Sequence, residues 1–362
     1  MVKLERIEIY RVELPRKGIF RIATGSSSEV RNVVIRIKSG PYEGWGAGAP
    51  TRVTGETMES IGRALSALKK ELSGKKFESP EEAVHLAERY AGKNPSALAA
   101  FDIAVFDLFS KIEDLPLYVY LSERYGTKPR DRVMTDITLG IESLEKTVKE
   151  AKEYINSGFR AIKVKIGLDF QEDMERIKAV RDAVGNDVSL WADANQGYSV
   201  EEAMGASEIL VENRYLFFEQ PVKWDRLEDM KKVKESSEIP VFADESAKTI
   251  ELAERIAANG FADGINIKLM KFGGILRAIK VVEIARKHGI KLMVGCMGES
   301  SLTVAAALHL AMAFPEIEYA DLDSQFMLKE DLAEGLMFEK GFLKTDGEGL
   351  GVKVHRTRLS YL

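Results

Sequence analysis

The chain holds a single cysteine, Cys296, among its 362 residues, so no intrachain disulfide can form and a reducing compartment suits it. Histidine is nearly as scarce. The four present, His85, His288, His309 and His355, are scattered, and with one cysteine they make no zinc-binding pattern. No apolar run is long enough to span a bilayer, and Met1 leads straight into the amphipathic VKLERIEIYRVEL instead of a charged head and apolar core. Neither a signal peptide nor a membrane anchor is expected, and a cytoplasmic location follows. Positive charge is not in excess: the formal net charge is -5 and no basic stripe stands out, which removes nucleic acid and anionic membrane from the expected partners. Tandem repeats and low-complexity tracts are missing too.

What is present suits an enzyme with a sizeable core, at 45% hydrophobic and 30% charged residues. The texture changes near residue 130. Before it, LERIEIYRVEL and VRNVVIRIKSG alternate apolar and polar positions as half-buried antiparallel strands do, and YEGWGAGAP reads as a third strand loosened by glycine. Helical patterns over Glu56 to Leu72, Pro80 to Tyr90 and Pro95 to Ile112 follow, the last almost wholly apolar and therefore expected to be buried. After Asp131, eight short apolar runs alternate with amphipathic helices: VMTDITLG, AIKVKIG, VSLWADAN, LFFEQP, PVFADES, GINIKLM, KLMVGC and EYADLD. Right-handed βαβ units at this pitch close naturally into a barrel. An open doubly wound sheet is the alternative, and it usually brings a Gly-rich phosphate turn that ITLGIESLEK does not provide. Expected domains are therefore an α+β module over residues 1–130, completed by a strand-like tail from about 330 to 362, and a barrel over 131–329.

Ionisable residues fall near the C-terminal end of successive runs. Lys165, Asp193, Glu219, Asp244 and Lys268 succeed one another at intervals of 24 to 28 residues, one strand plus one helix plus two loops. Barrels of this kind build their active sites at that face. A lone carboxylate there would be an ordinary strand-end cap. Three in register repel one another strongly unless a cation sits between them, and oxygen ligands on adjacent strands suit Mg²⁺ or Mn²⁺. Asn195 and Glu245 stand beside them. In AIKVKIG, Lys163 and Lys165 share one face of their strand; inward-facing, both are expected at the mouth, each depressing the pKa of the other. Lys268 stands on the sixth run, diametrically across eight strands. A metal between two amines suits abstraction of a proton beside a carbonyl.

These motifs together, KVK, DAN, FEQP, ADES, NIKLMKFGG, GCMGES and DLD, resemble the enolase superfamily, muconate-lactonizing subgroup, over essentially the whole chain. Within it the chain is most similar to dipeptide epimerases of the L-Ala-D/L-Glu epimerase type. The resemblance implies a (β/α)7β barrel, an α/β fold under an α+β capping domain. It implies Asp193, Glu219 and Asp244 as ligands of one Mg²⁺, Lys165 and Lys268 as opposed acid/base catalysts, and Lys163 as the residue that tunes its neighbour. The substrate would be a dipeptide, epimerised at its second α-carbon.

Asp321 and Asp323 alternate on the eighth run, point the same way, and can hold a substrate ammonium. The resemblance assigns such a DxD to the free amine of the dipeptide. An o-succinylbenzoate synthase or N-acylamino acid racemase, the alternative reading, has no amine to bind there. A sugar-acid dehydratase would need a histidine base beyond the sixth strand, and His288 falls at the end of a helix. A non-catalytic scaffold would show a lost base or ligand, and none is missing. Thr135, Cys296 and the GES segment are further candidates for substrate contact. Selectivity for the second residue is expected from the loops Ile19 to Ser28 and Ala49 to Thr54. The arginine that grips glutamate in the Ala-Glu enzymes aligns with Gly25, leaving Arg21 or Arg52 to replace it, or an apolar pocket. Oligomeric state is open, a homo-oligomer being compatible with everything above.

Overall fold

A computed structural model describes all 362 residues, Met1–Leu362. Two long strands, β1 (Arg6–Ile22) and β2 (Gly25–Ser39), form an antiparallel hairpin joined at its edge to β3 (Tyr42–Gly48). Helices α1 (Met58–Leu72), α2 (Pro80–Ala91), α3 (Pro95–Ile112) and α4 (Leu117–Tyr125) follow. The first is entered through a Thr57/Ser60 capping box and the second through Ser79, which accepts from the backbone N–H of Glu82. Every residue of α3 from Ser96 to Ser110 is buried. The short helix α4, rich in β-favouring aromatics, escapes the sequence pattern; tertiary packing and the left-handed Gly126 after it define it.

The glycines of β3 are not a loosening. Added Cβ atoms at Gly44, Gly46 and Gly48 would lie 2.0, 2.1 and 2.5 Å from the carbonyl oxygens of Ala104, Ala100 and Ser96. Every second strand residue thus meets every fourth helix residue, and only glycine lets α3 lie flush on the sheet.

The barrel strands are β4 (Ile137–Leu139), β5 (Ala161–Lys165), β6 (Ser189–Asp193), β7 (Phe218–Glu219), β8 (Val241–Ala243), β9 (Gly264–Ile267), β10 (Lys291–Gly295) and β11 (Ile317–Asp321). They are parallel and hydrogen-bonded in chain order. Helices α5 (Leu144–Asn156), α6 (Phe170–Val184), α7 (Val200–Glu212), α8 (Leu227–Ser236), α9 (Ile250–Asn259), α10 (Ile275–His288) and α11 (Ser301–Ala313) connect them, and a 3₁₀ turn, Ser324–Met327, replaces an eighth helix. The seam between first and eighth strands is nearly closed: Asp136 N donates to Ala320 O at 3.2 Å and Leu322 N donates to Thr135 Oγ1 at 2.9 Å.

VMTDITLG therefore divides. Val133–Met134 pairs with Phe342–Lys344 of a C-terminal hairpin, and only Ile137–Leu139 enters the barrel. Farther on, Ser360–Tyr361 adds a strand beside β1. Cap and barrel are tied by Asp102 of α3, whose oxygens accept from the backbone N–H groups of Ile275 (2.6 Å) and Leu276 (3.1 Å) at the start of α10. No helix is long and apolar enough to cross a membrane.

Candidate active site

The barrel interior is layered. Trp191, Phe217, Phe242, Met293 and Tyr319 pack together in its lower half. Two residues further along five of those strands, one pleat period higher, stand Asp193, Glu219, Asp244, Gly295 and Asp321. The aromatic layer is a dry floor that presents each carboxylate upward. Lys163 is in register with Trp191, and Lys165 with Asp193. The two lysines do share a face, yet they occupy different depths, and only Lys165 reaches the cavity.

Lys163 is fully buried, with Nζ 3.0 Å from Asp193, 2.8 Å from Glu219 and 2.8 Å from Asp321. Its expected place at the mouth and its expected lowered pKa are both corrected by this geometry. Burial alone would lower it, but the Asp321, Glu219 and Asp193 carboxylates raise it well above the ordinary lysine value. Lys165 Nζ donates to Asp193 Oδ2 at 2.5 Å. Lys268, at the end of β9, donates to Asp244 Oδ2 at 2.7 Å, and that carboxylate overrides burial to raise it too. Lys271, not singled out from sequence, stands one helical turn beyond Lys268. It donates to Asp244 Oδ1 at 2.6 Å and to the Asn266 carbonyl at 2.8 Å. Burial would raise Asp193, but its two lysines bring it down to about 2. Asp244 falls lower still, for the same reason.

The supports for these groups come from neighbouring strand ends. Gln220 spends its whole amide on positioning: Oε1 accepts from Asp244 N and Ser246 N at 2.9 and 3.0 Å, and Nε2 donates to Val222 O and Ser246 Oγ at 2.9 and 2.8 Å. Asn266 Nδ2 holds Glu219 Oε1 at 2.7 Å. Positive φ angles at Asn195 (39°), Gln196 (73°) and Gln220 (36°) put backbone strain at these same ends.

Several buried acceptors nearby have no hydrogen-bond donor, among them Glu219 Oε2, Asn195 Oδ1 and Glu245 Oε2. Glu219 Oε2 is near Lys163 Nζ, but off the direction a hydrogen bond needs. Burial and the Asp193 charge raise the Glu219 pKa, and burial with the Asp244 charge pushes Glu245 up to about 7. Orphaned oxygens on the third, fourth and fifth strands fit a hard cation. Asp193, Glu219 and Asp244 are drawn onto lysines here. The carboxylates that each bring one oxygen within 4.8 Å of the others are instead Asp136, Asp321 and Asp323, at the barrel seam. That second cluster already has Lys163 on Asp321 and the Thr138 N–H on Asp323, and burial holds Asp136 well above the usual carboxylate range.

Above the strand ends opens a cavity of about 770 Å³, roofed by the β1–β2 hairpin. Lys165, Lys268, Asp244, Asp321, Asp323, Cys296, Arg52 and Gly25 line it. Asp193 and Glu219 lie just beneath. Thr135 does not reach it: buried, with its hydroxyl on the barrel seam, it is replaced by Thr138, which lies in register with Lys163 and donates N–H to Asp323 Oδ2 at 2.7 Å. Strand parity within VMTDITLG could have favoured Thr138. Arg21 is also corrected, being an exposed hairpin residue outside the cavity. Cys296 Sγ is 3.8 Å from Asp323 Oδ1, and burial and that carboxylate raise its thiol. Of the GES segment only Gly298 lines the space; Glu299 and Ser300 are buried in the wall.

The segment Ile19 to Ser28 is a hairpin tip, with Phe20 paired to Ser27 and Arg21 to Ser26. A Cβ on Gly25 would lie 2.7 Å from Arg52 Nη1, so the Arg52 guanidinium fills the space over that glycine. It donates to the Thr24 carbonyl. Arg16, not singled out from sequence, is 8% exposed and reaches the cavity from the base of the same tip.

A capped barrel with facing lysines and clustered carboxylates at its C-terminal mouth defines an enolase-like enzyme. The chain belongs to the mandelate racemase/muconate lactonizing enzyme family, whose N-terminal domain matches residues 6–121 and whose enolase C-terminal domain-like part matches 146–358. It is 33% identical to a hydrophobic dipeptide epimerase of Enterococcus faecalis, covering 98% of this chain and 99% of that one. It is 36% identical to an L-Ala-D/L-Glu epimerase of Bacillus subtilis, with 97% of each chain covered. The Enterococcus faecalis dipeptide epimerase, solved with Mg and L-Leu-L-Tyr, superimposes with a TM-score of 0.92 at 33% identity over 98% of this chain and 100% of that one.

Proposed function

We propose that this chain is an isomerase that epimerises dipeptides at the second α-carbon, L-Ala-L-Xaa to L-Ala-D-Xaa, in a Mg²⁺-dependent reaction. The observation that carries this reading is the placement of Lys165 and Lys268 on opposite sides of one cavity that also presents Asp321 and Asp323. Residues 1–130 with 330–362 serve as the cap and 131–329 as the catalytic barrel. Asp193, Glu219 and Asp244 would hold the cation, which when bound supplies positive charge against a developing enediolate.

Asp321 and Asp323 bind the substrate ammonium and so set the α-carbon between the two lysines. One lysine, as free amine, takes the α-proton; the C–H electron pair passes into the enediolate. The opposed lysine, as ammonium, returns a proton to the other face, and configuration inverts. Here Lys165 and Lys268 donate to Asp193 and Asp244; with those carboxylates turned to the cation, both side chains would be free for this work. Lys163, neutralising three carboxylates from below, keeps the floor in place. Arg52 takes the role that the family resemblance gives to an arginine at Gly25, which makes a glutamate side chain an expected second residue.

The test is incubation of an L-Ala-L-Xaa panel with Mg²⁺ in D₂O, followed by NMR. Deuterium entering the second α-position, with appearance of the D-epimer, is the expected result. No exchange on any member would sink the proposal.

A further inference from the structure

We propose that Arg16 makes the subsite for the first residue of the dipeptide anion-selective, so that L-Asp-Xaa and L-Glu-Xaa are favoured over L-Ala-Xaa and L-Lys-Xaa. This rests on the epimerase reading above, which puts the substrate ammonium on Asp321 and Asp323. Arg16 is anchored beside those residues by its backbone: it bridges to Leu328, and Lys329 N donates to Pro15 O at 2.9 Å, just after the 3₁₀ turn that follows Asp323. Its guanidinium stacks on Phe20 with 5.2 Å to the ring centroid. The two acceptors it reaches are poor, Ser27 Oγ at 3.4 Å and the Met327 sulfur at 3.5 Å.

No carboxylate oxygen lies within 4.0 Å of this nearly buried cation. A guanidinium offers five N–H donors in a fork shaped for a carboxylate, and an unpaired one held out of water is costly until an anion arrives. Burial lowers the Arg16 pKa and the Asp323 charge opposes the shift, which agrees with its place beside the amine site. The side chain of an amino acid whose ammonium sits on Asp321 and Asp323 leaves the adjacent α-carbon. An acidic side chain of one or two methylenes has the charge and fork geometry that Arg16 lacks a partner for.

The experiment compares kcat/KM for dipeptides sharing one C-terminal residue and differing in the first (Asp, Glu, Ala, Lys), on the full chain with Mg²⁺, by α-deuterium exchange. Wild type is expected to prefer acid-first over Ala-first substrates by about 10-fold or more, as for a hydrogen bond to a charged group. In Arg16→Met that ratio collapses to about one, and Arg16→Lys restores part of it. If Arg16 only straps the hairpin to the barrel, Arg16→Met slows all four substrates alike and the ratio stays, which overturns the subsite. Should Arg16→Met fail to fold, the wild-type ratio and Arg16→Lys still decide. Exchange indifferent to the first residue in wild type refutes the subsite alone; absence of exchange on every dipeptide removes the epimerase reading and the subsite with it.

Discussion

The barrel mouth and the hairpin tip above it face the same cavity, yet they are built on opposite terms. At the mouth Lys163 and the carboxylates Asp193, Glu219, Asp244 and Asp321 each have two or more partners, and Lys165 and Lys268 each rest on one of those carboxylates. Lys163 has three carboxylates, Asp244 has two lysines, and Gln220 uses its whole amide to fix the next strand end. At the tip, Ser26, Ser27 and Ser28 are exposed, and Arg52 is held by a single backbone carbonyl. Proton transfer tolerates little misplacement, so the groups that perform it sit on strand ends over a packed aromatic floor. Choice of side chain is a difference between affinities and can rest on a few lightly held residues.

The contrast breaks most sharply at the lysines. Lys165→Ala and Lys268→Ala should each lower epimerisation by about 10²- to 10⁴-fold, while exchange from one epimer survives in each variant. NMR in D₂O starting from each epimer separately checks this, and chelation of the metal should silence wild type in the same assay. Full activity in either variant refutes the pair.

Next in size is Lys163→Met, which leaves three buried carboxylates without their shared cation. A loss of about 3–5 kcal/mol is expected, read as a shifted urea midpoint of metal-free protein. An unchanged midpoint would mean that the mouth is not held from below.

Acid should weaken the amine grip. Burial and the Asp321 charge raise Asp323 to about 6, so it is ionised at pH 7 and takes up a proton as pH falls through 6. For amine-bearing dipeptides kcat/KM should then drop towards tenfold per pH unit below 6, and Asp323→Asn should flatten that limb. A limb that persists in the variant belongs to another group.

The smallest effect belongs to the tip. Arg52→Ala should cost about tenfold in kcat/KM on L-Ala-L-Glu, with L-Ala-L-Leu affected less and stability within about 0.5 kcal/mol. Equal losses on both substrates would remove Arg52 from side-chain recognition.

Much of this was legible in one dimension because backbone periodicity carries it. A period of two put Lys163 and Lys165 on one face, the βα interval placed Asp193, Glu219, Asp244 and Lys268 on consecutive strand ends, and apolar density marked α3 as buried. The same periodicity is blind to depth. It could not say that Lys163 lies a layer below Lys165, where carboxylates raise its pKa instead of a neighbouring lysine lowering it. Thr135, a candidate for substrate contact, instead gives its hydroxyl to the seam of the barrel, because closure depends on strands far apart in the chain. Glycine every second residue in β3 read as weakness until a helix lay against it. Arg16 gave no signal at all, since a charged residue in a hairpin is ordinary until its partners are known to be a ring, a sulfur and an open cavity. Which strands, which faces and which chemistry were set by local spacing; which charges neutralise one another, and which is left without a partner, only contacts between distant segments decide.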